Sequence, residues 1–491
     1  MTSPLIFELN VRCWLSALSR RHGKLITLKN IPSAEFDSWR ARGFTDVWLM
    51  GVFPTGPQSR QHALEHRESI LKDNGAIGTW SDDEVTGSPY AIADFSIDPE
   101  IGGETGLHHF RNQLHEVGMR LILDAVCNHV GLDHRWLREQ PDVFVQSEEP
   151  MPETWRPGKG ARWLAYGKDP HFPAWADTIQ LDYRKPQTRS AMIDVLKSIS
   201  ALCDGVRCDM AMLLLNDIFA KTWNDFPVGN APPREEFWSE AIRAVRETRP
   251  GFLFFAEVYW DCEPRLQELG FDYTYDKILY DLLLQREPVA VQRHLIRASP
   301  SYLSRSLHFL ENHDEPRAAQ LFSEQEHKAA ALVVLGSPGA RLVHGGQLEG
   351  WRIKTPEQFG RYAEEVGEPS LQAFYQKLLR ALASSEVGSG TGTVLQPRCA
   401  WPENASAECF IAVQWHSGKP AWDLVVVNLG AHRGQCYVTL TFPGLRNHNW
   451  EMVDRLGTEN YQRFGEDLET NGLYLDVPAH GAQLFHFQPL R

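Results

Sequence analysis

Residues 252–260 read FLFFAEVYW, a strand-length apolar run that ends on a carboxylate, Glu257. The same build recurs in LILDAVCNHV (121–130) with Asp124, in DGVRCDMAM (204–212) with Asp209, and in LHFLENHDEPR (307–317) with Asp314. Runs that are apolar at nearly every position mark strands buried on both faces, as in a parallel sheet covered by helices. An acid directly after such a run falls where the strand gives way to its loop. In a closed barrel that is the C-terminal rim, where functional groups collect.

Working outward, further strand-length runs are Leu5–Val11, Asp46–Val52 and Arg341–His344, with Phe271–Tyr275 as a weak sixth in chain order. Amphipathic stretches at Glu104–Val117, Gln187–Leu202 and Glu235–Glu247 alternate with them and predict helices. Eight strands in this alternation predict a (β/α)₈ barrel rather than an open doubly wound sheet. No G-x-G-x-x-G follows the first strand, so the dinucleotide-binding fingerprint is missing.

Two segments break the rhythm. Leu132–Ile179 is rich in Pro, Trp and Gly and predicts a long loop excursion after the third strand. From Thr393 the chain reads as short strands with turn punctuation: FIAVQWH, DLVVVNL, QCYVTLTF, LYLDV and AQLFHF. That pattern predicts an antiparallel β-sandwich. The expected organisation is a barrel over 1–131 and 180–388, an inserted loop domain over 132–179, and a C-terminal β-sandwich over 389–491.

The chain has 491 residues and a formal net charge of -14. That balance excludes a phosphate-binding basic surface and so argues against nucleic acid as a partner. No apolar stretch reaches membrane-span length, and MTSPLIFELNVRCW lacks the pattern of a signal peptide. The eight cysteines are scattered without a C-x-x-C pair, which predicts buried free thiols, a cytoplasmic setting and no zinc site. His108-His109 lies in a helical stretch away from any strand end, so a metal-dependent barrel hydrolase lacks its ligands.

Carboxylates converging from separate strands repel one another, which keeps one of them protonated near neutral pH. Arg207 lies two residues before Asp209, on the same face of its strand, where it can pair with that acid and keep it ionised.

Together and in this order, the motifs resemble the α-amylase superfamily, glycoside hydrolase family 13. DAVCNH, GVRCD, the Glu257 strand and ENHD are similar to its four conserved regions. GFTDVWLMGVFPTGP (43–57), SPYAIADFSIDPEIGG (88–103) and IQLDYRKPQTR (179–189) resemble its flanking motifs. The resemblance implies a retaining glycoside hydrolase that cleaves α-glucosidic bonds, α-1,4 first, in oligo- or polysaccharides by double displacement. It implies Asp209 as nucleophile, Glu257 as general acid/base and Asp314 as the group that holds the distorted sugar. Arg207 would orient Asp209, and His129 and His313 would contact the sugar. Tyr90 would stack on its ring, with core packing the other reading of that residue. Asp124 would anchor the network or, with Asn128, tie loops to the rim.

The sequence departs from the family where Met212 and Leu213 replace a common Lys-His pair, and against that resemblance they imply a more apolar acceptor side. This makes a transglycosylase, such as a 4-α-glucanotransferase, the alternative to a hydrolase. A catalytically silent glucan-binding relative is the third reading. Asn128 lacks a clear set of oxygen ligands, so calcium is doubtful and no cofactor is expected. Trp155, Trp163, Trp175 and Trp260 are equally sugar platforms or core.

Overall fold

The computed structural model describes residues 3–74, 80–227 and 233–490. Eight parallel strands close into a barrel: β1 (Leu5–Asn10), β2 (Asp46–Met50), β3 (Arg120–Ala125), β4 (Gly205–Cys208), β5 (Leu253–Ala256), β6 (Tyr273–Tyr275), β7 (Ser306–His308) and β8 (Ala340–His344). Each pairs with its sequence neighbours, and β1 closes the ring against β8 with Glu8 opposite His344. The fold is thus a (β/α)₈ barrel with a C-terminal antiparallel β domain.

The eight expected strands are present, and most end earlier than the apolar runs suggest. β5 stops at Ala256, and the chain then leaves the ladder while staying bonded to its neighbour. Glu257 N–H donates to Cys208 O at 3.1 Å, and Ala211 N–H donates to Glu257 O at 2.9 Å. Hydrophobicity does not register this departure, because Val258 beyond it is also buried.

After β3, His129–Gly131 pairs antiparallel with Thr178–Gln180, which draws the two ends of the excursion together at the rim. Inside it, Trp163–Ala165 pairs with Gln146–Ser147 and with Thr154–Trp155. The loop between β2 and β3 carries helices Pro57–Glu65 and Arg67–Asp73. With the loop after β8 it forms a small core of its own, made of Ala63, Leu71, Trp80, Val85, Phe359 and Ala363.

The C-terminal domain holds β9 (Thr391–Leu395), β10 (Pro397–Cys399), β11 (Phe410–His416), β12 (Trp422–Asn428), β13 (Gly434–Val438), β14 (Asn449–Asp454), β15 (Asn460–Phe464), β16 (Leu473–Val477) and β17 (Ala482–Pro489). Six of them form one sheet, ordered β9-β11-β12-β17-β14-β15, and β10-β13-β16 form another. Trp422 and Phe487 stack at 3.8 Å within the shared core. Trp415 fastens this domain to the barrel by donating its indole N–H to Gly336 O at 2.9 Å.

The cysteines are free thiols, but three are not buried: Cys399 is exposed, and Cys262 and Cys409 are half-buried. Among the described residues no helix is long and apolar enough to cross a membrane.

Candidate active site

Arg207 stands at the centre of the rim, 2% exposed, and its guanidinium organises the acids around it. One terminal nitrogen lies 2.8 Å from Asp209 Oδ1, and the other lies 2.7 Å from Glu257 Oε2. Asp124 Oδ1 is 3.6 Å away and Asp314 Oδ2 is 3.9 Å away. Its planar fork suits this task, since two donors can serve two carboxylates at once. The rings of Tyr90 and Trp48 face the guanidinium at 5.2 and 5.4 Å. The structure therefore brings the four strand-end acids to one place.

Glu257 is held at both oxygens. Oε2 also accepts the Met210 backbone N–H at 2.7 Å, and Oε1 accepts the Tyr259 hydroxyl at 2.7 Å. Met210 reaches this position with φ 42, a left-handed conformation unusual for a bulky residue. Burial pushes the Asp209 carboxyl well above the usual carboxylate range. Arg207 pulls it back down, and the Glu257 and Asp124 charges push it up again.

Asp314 is set by a charge relay across the barrel. His313 Nε2 lies 3.1 Å from Asp314 Oδ2 and 2.7 Å from the Tyr90 hydroxyl, while His313 Nδ1 lies 2.5 Å from Glu8 Oε1. Burial pushes the His313 pKa down, but the Asp314 and Glu8 carboxylates more than reverse this and leave it well above the ordinary imidazole value. Burial likewise raises Asp314, and His313 with Arg207 holds it well below the usual carboxylate range. Asp314 is therefore a fixed anion whose side chain is 40% exposed to the cavity.

Asp124 Oδ2 accepts the Gly51 backbone N–H at 3.3 Å, and burial moves its pKa up to about 6 despite Arg207. It is absent from the cavity lining, so it ties β3 to the loop after β2 beneath the site. His129 does line the cavity, with its ring 5.1 Å from that of Trp175. Burial lowers its pKa to about 4, so the ring is neutral at pH 7.

The cavity measures about 1010 Å³ and reaches from the β2–β3 loop to the loops after β5 and β6. Trp175 and Trp260 line it, whereas Trp155 and Trp163 do not. Met212 and Leu213 are 0% and 3% exposed and belong to the core, so they do not form the apolar acceptor side expected of them. Met210, Tyr259 and Trp260 line the cavity instead. The left-handed turn at Met210 carries the next residues inward, which spacing along the motif does not reveal.

The Asn128 amide is engaged with Gln180, whose Nε2 donates to Asn128 Oδ1 at 2.9 Å. Calcium prefers six to eight oxygen ligands, so the residues around Asn128 do not fit such an ion. Among the described residues one group of potential metal-ligating side chains, His313, Asp314 and Glu357, comes together within 4.8 Å, and two of the three, Asp314 and Glu357, line the cavity.

Several residues of the site escaped sequence reasoning. Glu8 carries a signal, since an acid inside the apolar run LIFELN must be paired if it is buried. Tyr259 lies within the quoted FLFFAEVYW. Tyr275, whose hydroxyl is 3.4 Å from Arg207 Nε, and Glu357 carry none.

Residues 40–370 match the family model described as "Alpha amylase, catalytic domain". The chain is 24% identical over 301 residues to the alpha-amylase MalA of Haloarcula japonica, covering 60% of this chain and 40% of that protein. It is 26% identical over 262 residues to the intracellular maltogenic amylase of Bacillus subtilis, covering 50% of this chain and 40% of that protein. It thus spans less than half the length of either relative. In fold it is similar to the maltogenic alpha-amylase AmyB of Thermotoga neapolitana, with TM-score 0.68, 19% identity and 99% of both chains covered. A family model spanning more than half of the chain, and a closed barrel that gathers the strand-end acids around Arg207, lead to one conclusion: the chain belongs to the α-amylase family, glycoside hydrolase family 13.

Proposed function

We propose that the protein is a retaining glycosidase that cleaves α-glucosidic bonds of oligo- or polysaccharides by double displacement. The observation that carries the reading is the single guanidinium bridging Asp209 and Glu257, beside an Asp314 held as an anion. One planar group spanning both carboxyls makes them close neighbours. A retaining pair needs a spacing of about 5–5.5 Å, with no room for a water between acid and sugar.

In this reading Asp209 attacks the anomeric carbon while Glu257 delivers its proton to the departing glycosidic oxygen. Arg207 favours the ionised form of Asp209 at that moment. The positive charge developing on the sugar ring meets the fixed anion Asp314, which stabilises the transition state more than the ground state. Glu257, now ionised, takes a proton from water, and the glycosyl-Asp209 ester is hydrolysed with net retention. Proton NMR of a maltoheptaose digest checks this: new reducing ends appear first as the α-anomer, and initial β-anomer would refute double displacement.

A second reading is transfer to a sugar acceptor, favoured by the Met210, Tyr259 and Trp260 lining of the acceptor side. Aromatic and apolar surface there suits a sugar ring better than a lone water. Added glucose would then give longer or glucose-capped products, resolved by chromatography.

The reading calls for no resident metal, and the Asn128 oxygen, which accepts from Gln180, is given no further role in it. Treatment with EDTA is expected to leave turnover within twofold and the unfolding midpoint unchanged. A chelator-sensitive midpoint restored by calcium would show a metal elsewhere in the fold.

A further inference from the structure

The described parts of the β2–β3 loop and the loop after β8 meet beside the cavity and are joined there. Beyond their shared apolar core, Trp80 Nε1–H donates to Arg361 O at 2.7 Å. Thr86 N–H donates to Gln358 O at 2.8 Å, and Gly360 N–H donates to Glu84 O at 2.9 Å. Arg361 and Glu84 form an ion pair along the same seam. Two loops sharing a core and a line of backbone hydrogen bonds form a wall rather than a loose flap. Its inner face presents His62, His66, Ile70, Ser88 and Glu357 to the cavity.

The chemistry fixes which end this is. Asp209 attacks the ring that Asp314, His313 and Tyr90 surround, so the leaving group lies past Glu257, toward Tyr259 and Trp260. The wall brings Glu357 to the side of Asp314 and His313. A Glu357 oxygen lies within 4.8 Å of ligand atoms of both Asp314 and His313. Glu357 Oε1 accepts the Ser88 hydroxyl at 2.8 Å and the Gln358 amide at 3.1 Å. Oε2 takes no hydrogen bond from the described residues, and the side chain lines the cavity.

We propose that this wall closes the glycone end of the cleft, so that the protein acts from the non-reducing ends of its substrates, and that Glu357 binds the hydroxyls of the terminal sugar there. The inference rests on the glycosidase reading above and specifies its substrate end. A chain extending past the reacting ring would meet the inner face of this wall, whereas a chain end fits against it. Burial and then the Asp314 charge push the Glu357 carboxyl up to about 7, with Asp177 adding to the push and Ser88 and His313 opposing it. Tyr90 from the β2–β3 loop lines the same cavity, and Gln358 from its own loop donates to Glu357. A neutral carboxyl can donate to a sugar oxygen as well as accept from a hydroxyl, which an ionised one cannot.

Two maltoheptaosides test this, one intact and one carrying a 4,6-O-ethylidene block on its non-reducing glucose. The intact substrate should be shortened from the non-reducing end, and the blocked one should react at least about 50-fold more slowly. Equal rates would overturn the proposal. No turnover of either would count against the glycosidase reading. Calorimetry on the Asp209→Asn protein then judges the end-specificity alone, with about tenfold weaker binding of the blocked form expected and equal binding overturning it. Glu357→Ala should raise KM about 10- to 30-fold with kcat within about threefold, as for a lost hydrogen bond to bound substrate. KM of the unaltered protein should rise above pH 7 as Glu357 loses its proton, and Glu357→Gln should restore KM and remove that rise. A kcat loss in both variants with KM unchanged would assign Glu357 to loop architecture instead.

Discussion

Asp209→Asn is expected to lower kcat on maltoheptaose by on the order of 10⁴-fold or more, the scale on which a removed covalent nucleophile acts. The folded state should survive, because the amide keeps the shape of the carboxyl and one acceptor for Arg207 at 2.8 Å. Glu257→Gln should lose about 10²–10⁴-fold on the same substrate, the usual reach of general acid–base catalysis. On α-glucosyl fluoride, whose leaving group needs no proton, the first step of that variant should recover while the Asp209 variant stays inactive. The comparison separates the two carboxyls that Arg207 holds together. If both variants kept parental rates on every α-glucan tried, the site would be a binding cleft on an enzyme-like barrel.

The second large effect concerns stability. Glu311 and Arg317 are 0% and 1% exposed, on either side of Asp314 in the loop after β7. Arg317 Nη1 lies 2.7 Å from Glu311 Oε1 and also donates to Gly345 O at 2.8 Å, while Glu311 Oε2 accepts the Ala318 N–H at 2.7 Å. Arg317→Met would leave a buried carboxylate without its partner, which costs about 3–5 kcal/mol. The urea midpoint should fall accordingly. Replacing both residues by Gln and Met should recover part of the loss, because the uncompensated charge is then gone. Burial raises Glu311, and Arg317 with His344 more than reverses this, leaving it at about 2. A free glutamate titrates near pH 4.3. The stabilisation from this carboxylate is therefore complete above that pH and is lost as pH falls toward about 2. In the Arg317→Met protein this acid-labile part should be missing. An unchanged midpoint would show that water reaches Glu311.

The fold was legible in the sequence because a parallel barrel writes itself in a simple form. Its strands need unbroken apolar runs, so even the three-residue Tyr273–Tyr275 was found within FDYTY. The helices Gly103–Glu116 and Pro186–Leu202 fall within a residue of the amphipathic stretches that announced them. Strand-end acids were visible for the same reason, since polarity appears abruptly after the run. The remainder of the site follows other rules. Glu357 sits 13 residues past His344 in a loop without periodicity, and its place depends on how two distant loops pack. The resemblance puts Met212 and Leu213 on the acceptor side, whereas a left-handed residue at Met210 turns them into the core. Local backbone geometry of this kind leaves little trace in composition.

The contact between Glu8 and His313 joins the first strand of the barrel to the loop after the seventh. Between them stands β8, whose pairing with β1 closes the ring. The carboxylate that helps keep His313 charged beside Asp314 is thus supplied from the far side of the seam, by a residue 305 positions from His313. A partly assembled chain, with β1 undocked, would hold Asp209, Glu257 and Arg207 on neighbouring strands yet lack the proton arrangement around Asp314. Enzymatic activity would then be the last property to return on refolding, reporting ring closure rather than collapse.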